Sequence, residues 1–139
     1  MNKDEIYEEF KKVGALLEGH FVLSSGLHSS VYLQCAKVMM HAQLAEKFCR
    51  VLVDQIQANY LDDPFDCVVS PALGGVLVGY EIGRQLRIPS IFTERVDGSF
   101  ELRRGFGFLP NSKILLIEDV ITTGKSSLEC IECIKKNKG

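Results

Sequence analysis

The chain has 139 residues, of which 46% are hydrophobic and 24% are charged, as in ordinary globular proteins. This length suits one domain with a real core, although it is short for a layered α/β enzyme. The formal net charge of −2 disfavours nucleic acid as a partner, so any phosphate site must come from local features. No apolar run is long enough for a membrane span and the N-terminus is no signal peptide, so we expect a cytoplasmic protein without a membrane partner.

The first part of the chain predicts a helix followed by a hairpin. Residues 4–17 carry apolar side chains at helical spacing. Two short extended segments follow, 21–23 and 31–33, joined by a polar turn, which favours a hairpin standing apart from the main sheet. We call this segment the hood and place it at about residues 19–36. His28 is interpreted as a surface turn residue rather than a catalyst.

The middle of the chain predicts a helix, a strand and a second helix. Residues 41–58 form an amphipathic pattern, and the apolar segment 65–69 predicts a strand that ends in a Ser-Pro-Ala-Leu-Gly-Gly loop at 70–75. Three glycines then recur at every fourth position, namely Gly75, Gly79 and Gly83. Such a stripe lowers helix propensity, which predicts that one face of this helix lies very close to the sheet.

An arginine-rich segment follows the strand predicted at residues 89–93. Residues 94–107 are interpreted either as a solvated hairpin or as a mobile loop that folds over a ligand and brings cations to it. We favour the loop, because it lies between two strands whose ends look like ligand sites. The arginines concerned are Arg95, Arg103 and Arg104.

The most informative stretch is 114–127. Four apolar residues predict a strand buried on both faces, and Glu118 and Asp119 stand where that strand ends. The Thr, Gly and Ser residues of 122–127 can present backbone N–H groups and hydroxyls to a phosphate beyond the carboxyl end of the strand. Carboxylates repel phosphate but accept hydrogen bonds from neutral hydroxyls. A diol close to a phosphate indicates a phosphorylated ribose.

This stretch also admits two other interpretations. Gly124, Lys125 and Ser126 look like the end of a nucleotide-binding P-loop, but that motif needs a glycine at the position of Asp119, whose charge would oppose a triphosphate. An ordinary strand, acidic turn and capped helix is the plainer alternative. The complete run favours the ligand site.

The last helix is predicted to start at Ser126 and to end in lysines, with Gly139 at the C-cap position. Its inward-facing residues are predicted to be Leu128, Ile131 and Ile134. A C-x-x-C pair, Cys130 and Cys133, falls within this helix, which predicts two residues on one helical face rather than a redox or zinc site. The five cysteines are scattered and odd in number, so we expect free thiols.

Residues 114–127 resemble the signature with which type I phosphoribosyltransferases bind phosphoribosyl pyrophosphate (PRPP). Three other stretches narrow the resemblance to the orotate phosphoribosyltransferase family, and these are 14–26, 70–75 and 102–106. The resemblance implies an α/β fold, an open parallel sheet flanked by helices with a small N-terminal hood. It implies one domain over 1–139, with a PRPP-binding core at about 41–139. A further strand would be expected beside 114–117, so the chain is expected to be C-terminally truncated or completed by a partner.

The implied reaction is the transfer of a 5-phosphoribosyl group from PRPP to orotate, giving orotidine 5′-monophosphate and pyrophosphate. Mg²⁺ is the implied cofactor, held mostly by the substrate and water rather than by protein ligands. The family also implies a homodimer whose mobile loop reaches the neighbour's site. Two alternatives stay open: a phosphoribosyltransferase for another base, and a non-catalytic PRPP-binding regulator or truncated remnant.

The resemblance also assigns roles to individual residues. Glu118 and Asp119 would bind the ribose hydroxyls. The rest of the PRPP signature, with the 5-phosphate held from Thr122 onward, consists of Val120, Ile121, Thr122, Thr123, Gly124, Lys125 and Ser126. Pyrophosphate would be held by Ala72, Leu73 and Gly74, in a loop where the family often has a cis peptide, here between Ala72 and Leu73.

For the second substrate and for catalysis the resemblance names other residues. Thr122, Tyr32 and Leu33 would contact orotate. The catalytic cations on the departing pyrophosphate would be Arg95, Arg103 and Arg104. The family usually has lysine and histidine in that loop, and it often has lysine at the positions of Ser24 and Gly74.

Overall fold

A computed structural model describes residues 1–138, which form two compact units. The first unit covers Met1–Phe48 and the second begins at Cys49, so the boundary falls within a long helix, Ala42–Asn59. The division into a hood and a core was predicted on functional grounds and stays a prediction. No helix in the described part of the chain combines the length and the apolar character needed to cross a bilayer.

Helices and strands follow one another along the chain without long irregular stretches, except before the last strand and the last helix. The helices are α1 (Lys3–Lys12), α2 (Ala36–Met39), α3 (Ala42–Asn59), α4 (Gly75–Leu86) and α5 (Lys125–Lys138). The strands are β1 (Leu16–Val22), β2 (His28–Leu33), β3 (Cys67–Pro71), β4 (Ser90–Val96), β5 (Ser99–Leu102) and β6 (Ile114–Leu116).

Helix α1 begins with a capping box. The Asn2 side chain accepts a hydrogen bond from the Glu5 N–H at 2.9 Å, and the Glu5 carboxylate accepts one from the Asn2 N–H at 3.4 Å. The helix ends at Lys12, so the prediction of a helix across 4–17 was wrong for its last turn. Gly14, with φ of +73°, turns the chain out of the helix and into β1.

The predicted hairpin of the hood is confirmed. Strands β1 and β2 pair in antiparallel fashion, with an irregularity of register between Glu18 and Phe21. Strand β1 starts earlier than the pattern predicted, because the apolar Leu16 and Leu17 belong to the strand rather than to the preceding helix.

The second unit is built on a four-stranded sheet with the order β5-β4-β3-β6. Strands β4, β3 and β6 are parallel, and β5 pairs with β4 in antiparallel fashion as the second strand of a hairpin. The predicted parallel sheet is therefore confirmed for its three principal strands. Since parallel strands end at one edge, the segments that follow β3, β4 and β6 come together there.

The core of this unit lies between α5 and the sheet. Its buried members are Cys67, Val69, Ile91, Phe100, Cys130, Cys133 and Ile134. The C-x-x-C pair therefore lies on one buried helical face, as predicted, and all five cysteines are free. The inward-facing prediction was wrong for Leu128, which is 63% exposed, because the buried stripe runs at helical spacing from Cys130 and Leu128 lies off it. The predicted C-cap at Gly139 lies outside the described residues.

Helix α4 packs unusually close to the sheet, as its glycine stripe predicted. A β-carbon at Gly75 would lie 3.1 Å from the carbonyl oxygen of Ile117, and one at Gly83 would lie 3.0 Å from Cβ of Ser90. A β-carbon at Gly79 would overlap Oγ of Ser70. The stripe thus sets the start of α4 against the residues that leave β6.

Candidate active site

The loop after β3 and the segment after β6 are tied into the same edge of the sheet. The Ala72 N–H donates to the carbonyl oxygen of Thr93 at 2.8 Å, and the Ile117 N–H donates to that of Val69 at 3.0 Å. Both bonds extend the pattern of the sheet beyond the ends of its strands. The peptide bond between Ala72 and Leu73 is cis, at the position that the resemblance implied.

Two segments that the sequence assigned to one ligand are in contact. A β-carbon at Gly74 would lie 2.7 Å from Oδ2 of Asp119, and one at Gly75 would lie 3.2 Å from Oε1 of Glu118. The glycines therefore leave the space that the two carboxylates occupy. The structure brings the expected pyrophosphate loop and the expected ribose carboxylates together, while their roles stay predictions.

The two carboxylates are held by the backbone that follows them. The Asp119 N–H donates to Oε1 of Glu118 at 3.0 Å, and the Val120 N–H donates to Oδ1 of Asp119 at 2.8 Å. Burial, reinforced by the neighbouring Asp119 carboxyl, raises the pKa of Glu118 to about 7. At neutral pH this half-buried pair therefore lacks part of its negative charge, and donors such as hydroxyl groups would stabilise its ionised form.

The loop from Val120 to α5 presents unpaired backbone donors. The Lys125 N–H donates to Oγ1 of Thr123 at 3.3 Å, and the first bond of the helix runs from the Leu128 N–H to the carbonyl oxygen of Gly124 at 2.9 Å. Within residues 1–138, the N–H groups of Thr122, Thr123 and Gly124 donate to no protein acceptor. Together with the first N–H groups of the helix, they form the donor set that binds anions at helix N-termini.

The three arginines of the predicted loop differ in their surroundings. Arg95 donates to Oε2 of Glu129 at 2.7 Å, and its guanidinium carbon lies 4.1 Å from the centre of the Phe100 ring. Arg104 makes a bidentate pair with Glu94, at 2.8 and 3.0 Å, which lowers the pKa of the Glu94 carboxyl. Arg103 is exposed and forms no ion pair with any described residue.

The backbone of this segment matches the hairpin interpretation from Glu94 to Leu102, where β4 and β5 pair. Its mobility stays a prediction. None of the three arginines forms an ion pair with Glu118 or Asp119 among residues 1–138. Sequence reasoning missed the two acidic partners: the register places Glu94 opposite Glu101 and Arg104 lies beyond β5, whereas Glu129 is distant in sequence and gave no local signal.

The residues expected to contact orotate lie in different units. Tyr32 and Leu33 belong to β2 of the first unit, where they are 36% and 39% exposed, and the Tyr32 ring lies 5.6 Å from that of Phe21. Thr122 is exposed in the loop of the second unit. The partly exposed side chains of Tyr32 and Leu33 leave apolar surface that a planar ligand could contact. The assignment of these residues to orotate stays a prediction.

No protein-family model matches the chain, whereas comparisons with individual proteins agree on one family. The orotate phosphoribosyltransferase of Caldicellulosiruptor saccharolyticus is 52% identical over 139 residues, which are 100% of this chain and 71% of that protein. The crystal structure of orotate phosphoribosyltransferase from Aeropyrum pernix has a TM-score of 0.72 at 26% identity, over 96% of this chain and 75% of that one.

The fold itself is shared more widely. Adenine phosphoribosyltransferase from Saccharomyces cerevisiae has a TM-score of 0.73 at only 14% identity, over 97% of this chain and 82% of that one. This likeness establishes the type I phosphoribosyltransferase fold but does not distinguish the base. Identity to curated relatives over the full length of the chain narrows the family further, and the chain belongs to the orotate phosphoribosyltransferase family.

Proposed function

We propose that this chain catalyses the Mg²⁺-dependent transfer of the 5-phosphoribosyl group from PRPP to orotate, yielding orotidine 5′-monophosphate and pyrophosphate. In this reaction the bond from ribose C1 to the pyrophosphate oxygen breaks, and a bond from C1 to N1 of orotate forms. The product is the precursor of uridine monophosphate. The single observation that carries the proposal is the contact between Gly74, after β3, and Asp119, after β6.

That contact matters because PRPP carries its pyrophosphate and its ribose hydroxyls on neighbouring carbon atoms. A site for PRPP therefore needs a pyrophosphate-binding segment directly beside a hydroxyl-binding one. The loop of Ala72, Leu73 and Gly74 is assigned to the first role, and Glu118 and Asp119 are assigned to the second. The unpaired N–H groups from Thr122 onward, beside the carboxylates in sequence, suit the 5-phosphate at the other end of the ribose.

Little acid–base chemistry is needed from the protein. Substitution at an anomeric carbon passes through a cation-like state, so the enzyme must stabilise developing charge, orient the reactants and exclude water. The negatively charged Asp119 would lie close to the positive ribose ring, and the ionised fraction of Glu118 would add to its effect. Guanidinium groups cannot donate protons at neutral pH, but they bind phosphate oxygens in bidentate fashion.

The cations of the hairpin would act on the departing pyrophosphate. Arg103 carries no ion pair within the described residues and is the best placed to bind an anion without losing a partner. Arg104 and Arg95 would first have to leave Glu94 and Glu129. The three arginines are exposed, and at exposed positions the exchange of one ion-pair partner for another costs little free energy.

Mg²⁺ fits the donor set at the end of β6. Glu118 and Asp119 supply the hard oxygen atoms that Mg²⁺ prefers, yet no group of three or more His, Cys, Asp or Glu residues within residues 1–138 could hold a metal ion alone. Such a site suits an ion that keeps water and substrate oxygens as most of its ligands. When bound, Mg²⁺ would neutralise charge on the pyrophosphate.

Orotate would contact Thr122, Tyr32 and Leu33, as the resemblance implies. A homodimer and a cytoplasmic location belong to the same proposal, and both rest on the family resemblance alone. Sedimentation of the chain with and without PRPP would test the dimer.

The activity is tested by incubating the chain with orotate, PRPP and Mg²⁺ and following the loss of orotate absorbance. We expect turnover that stops when the metal is chelated, and none when adenine replaces orotate. Binding of PRPP without turnover would favour a non-catalytic PRPP-binding protein.

The matched variants are Asp119→Asn and Asp97→Asn. Asparagine keeps the Oδ1 acceptor for the Val120 N–H and so keeps the loop, but it loses the charge. We expect Asp119→Asn to weaken PRPP binding by about tenfold or more without unfolding the protein, because hydrogen bonds to a charged acceptor are stronger than those to a neutral one. Asp97, in the turn of the β4–β5 hairpin, serves as the control.

A further inference from the structure

Two histidines face each other on the hairpin of the first unit. Nε2 of His20 lies 2.8 Å from Nδ1 of His28, and the ring centres are 4.8 Å apart with an interplanar angle of 85°. Val22 is the cross-strand partner of His28, so His20 is its diagonal neighbour, next to the irregularity of register in β1. Both side chains are exposed.

The arrangement brings together two nitrogen atoms that can each offer a lone pair. In a hydrogen-bonded pair of neutral imidazoles, one nitrogen donates and the other accepts, and the two must share a single proton. Imidazole is also the commonest protein ligand for transition metals, through either ring nitrogen. The same two nitrogens can therefore bind one metal ion in place of the proton between them.

We propose that His20 and His28 form a bidentate site for a divalent transition-metal cation of the Ni²⁺ or Cu²⁺ type. Two nitrogen atoms 2.8 Å apart, each about 2.1 Å from an ion, subtend an angle of about 85° at that ion. This angle is close to that between neighbouring ligands in octahedral or square-planar coordination, and it is well below the tetrahedral angle that Zn²⁺ prefers.

Metal binding by the neutral pair needs neither a redox step nor the loss of a proton from the protein. When the pair is neutral, the proton between the rings moves to the far nitrogen of its own imidazole, both facing nitrogens become acceptors, and each binds the ion. The exposed rings turn so that both lone pairs point at it. No third His, Cys, Asp or Glu joins the pair within the described residues, so water fills the other positions and the affinity is moderate.

A titration of the full chain with Ni²⁺, followed by calorimetry, tests the site. We expect one ion per chain, and a loss of affinity of about tenfold or more in His20→Ala and in His28→Ala, because a chelate then loses one of its two protein ligands. The chain has three histidines, and His41, the residue before α3, gives the matched control His41→Ala, which should bind as the parent does. Cys35→Ser controls for a half-buried thiol and should also retain binding.

A second measurement needs no variant and so does not depend on the hairpin tolerating a substitution. Paramagnetic Ni²⁺ added to the native chain should broaden the imidazole NMR signals of His20 and His28 and spare those of His41. Equal affinity of parent, His20→Ala and His28→Ala would overturn the proposal. So would broadening confined to His41, or loss of binding in Cys35→Ser alone.

Discussion

Gly74 and Asp119 are in direct contact, and each determines what the other position can hold. A β-carbon at Gly74 would lie 2.7 Å from Oδ2 and 3.0 Å from Oδ1 of Asp119. The backbone of Gly74, with φ of −57° and ψ of −37°, is open to any residue, so glycine is not required for its conformation. What a side chain at this position would meet is the Asp119 carboxylate, which accepts a hydrogen bond from the N–H of Val120.

The first prediction concerns Gly74→Ala. The added methyl group meets the end of a flexible side chain rather than backbone, so the Asp119 carboxylate should move aside and the free energy of unfolding should change by less than about 1 kcal/mol. The moved carboxylate should then bind the ribose hydroxyls poorly, and the dissociation constant of PRPP should rise by about tenfold. Calorimetric titration with PRPP measures this. Gly107→Ala is the control, because a β-carbon there meets open space.

The second prediction uses the raised pKa of Glu118. A carboxyl whose pKa is higher in the folded chain than its ordinary value of 4.5 binds its proton more tightly when folded. It therefore favours the folded state most below pH 4.5, and this contribution is lost as the pH rises to about 7. Glutamine does not ionise. As the pH rises from 4.5 to about 7, the free energy of unfolding of Glu118→Gln should therefore increase relative to the parent by about 1–2 kcal/mol, after allowance for solvent access.

Urea unfolding of parent and Glu118→Gln at several pH values measures the difference. Glutamine keeps an oxygen acceptor for the Asp119 N–H, so the local backbone should not change. Stability curves that run parallel from pH 4.5 to pH 8 would contradict the raised pKa of Glu118.

How far the sequence predicted this molecule depends on the range of the interactions concerned. The parallel strands, helix α3 and the close approach of α4 follow from apolar runs and from a glycine stripe, which are local patterns. The end of α1 was missed because Leu16 and Leu17 fit a helix and a strand equally well, and only the turn at Gly14 decides between them.

The site was predictable to the same extent. The two carboxylates, Glu118 and Asp119, and the loop expected to bind phosphate are contiguous in sequence, so their chemistry could be predicted from the sequence alone. The contact of Asp119 with Gly74 depends on which strands are neighbours, and the sheet order β4-β3-β6 is not written in any local pattern. The same holds for the pairing of Arg95 with Glu129, which joins β4 to α5.

The third prediction concerns the counter-ion of Arg104. Removal of the Glu94 charge in Glu94→Gln should free Arg104 for the pyrophosphate, and the KM for PRPP should fall by about two- to fivefold, a small effect because the pair is partly exposed. Steady-state kinetics at fixed orotate measure it. The cross-strand partner of Glu94 is Glu101, which pairs with no arginine among the described residues, so Glu101→Gln is the matched control. An unchanged or higher KM in Glu94→Gln would show that the ion pair does not compete with substrate.

The fourth prediction concerns the closest approach of α4 to the sheet. In Gly79→Ala the new methyl group overlaps Oγ of Ser70, which is buried and makes no hydrogen bond within the described residues. We expect a loss of about 1–3 kcal/mol in the free energy of unfolding, because a tightly packed interior resists added volume. Ser70→Ala alone should be nearly neutral, since it removes an unpaired hydroxyl. In the double variant, Ser70→Ala should restore about 1 kcal/mol or more of the free energy of unfolding that Gly79→Ala loses, because the effects of residues in direct contact are coupled. Urea unfolding of the four proteins completes the cycle, and strictly additive losses would mean that α4 avoids Ser70 in solution.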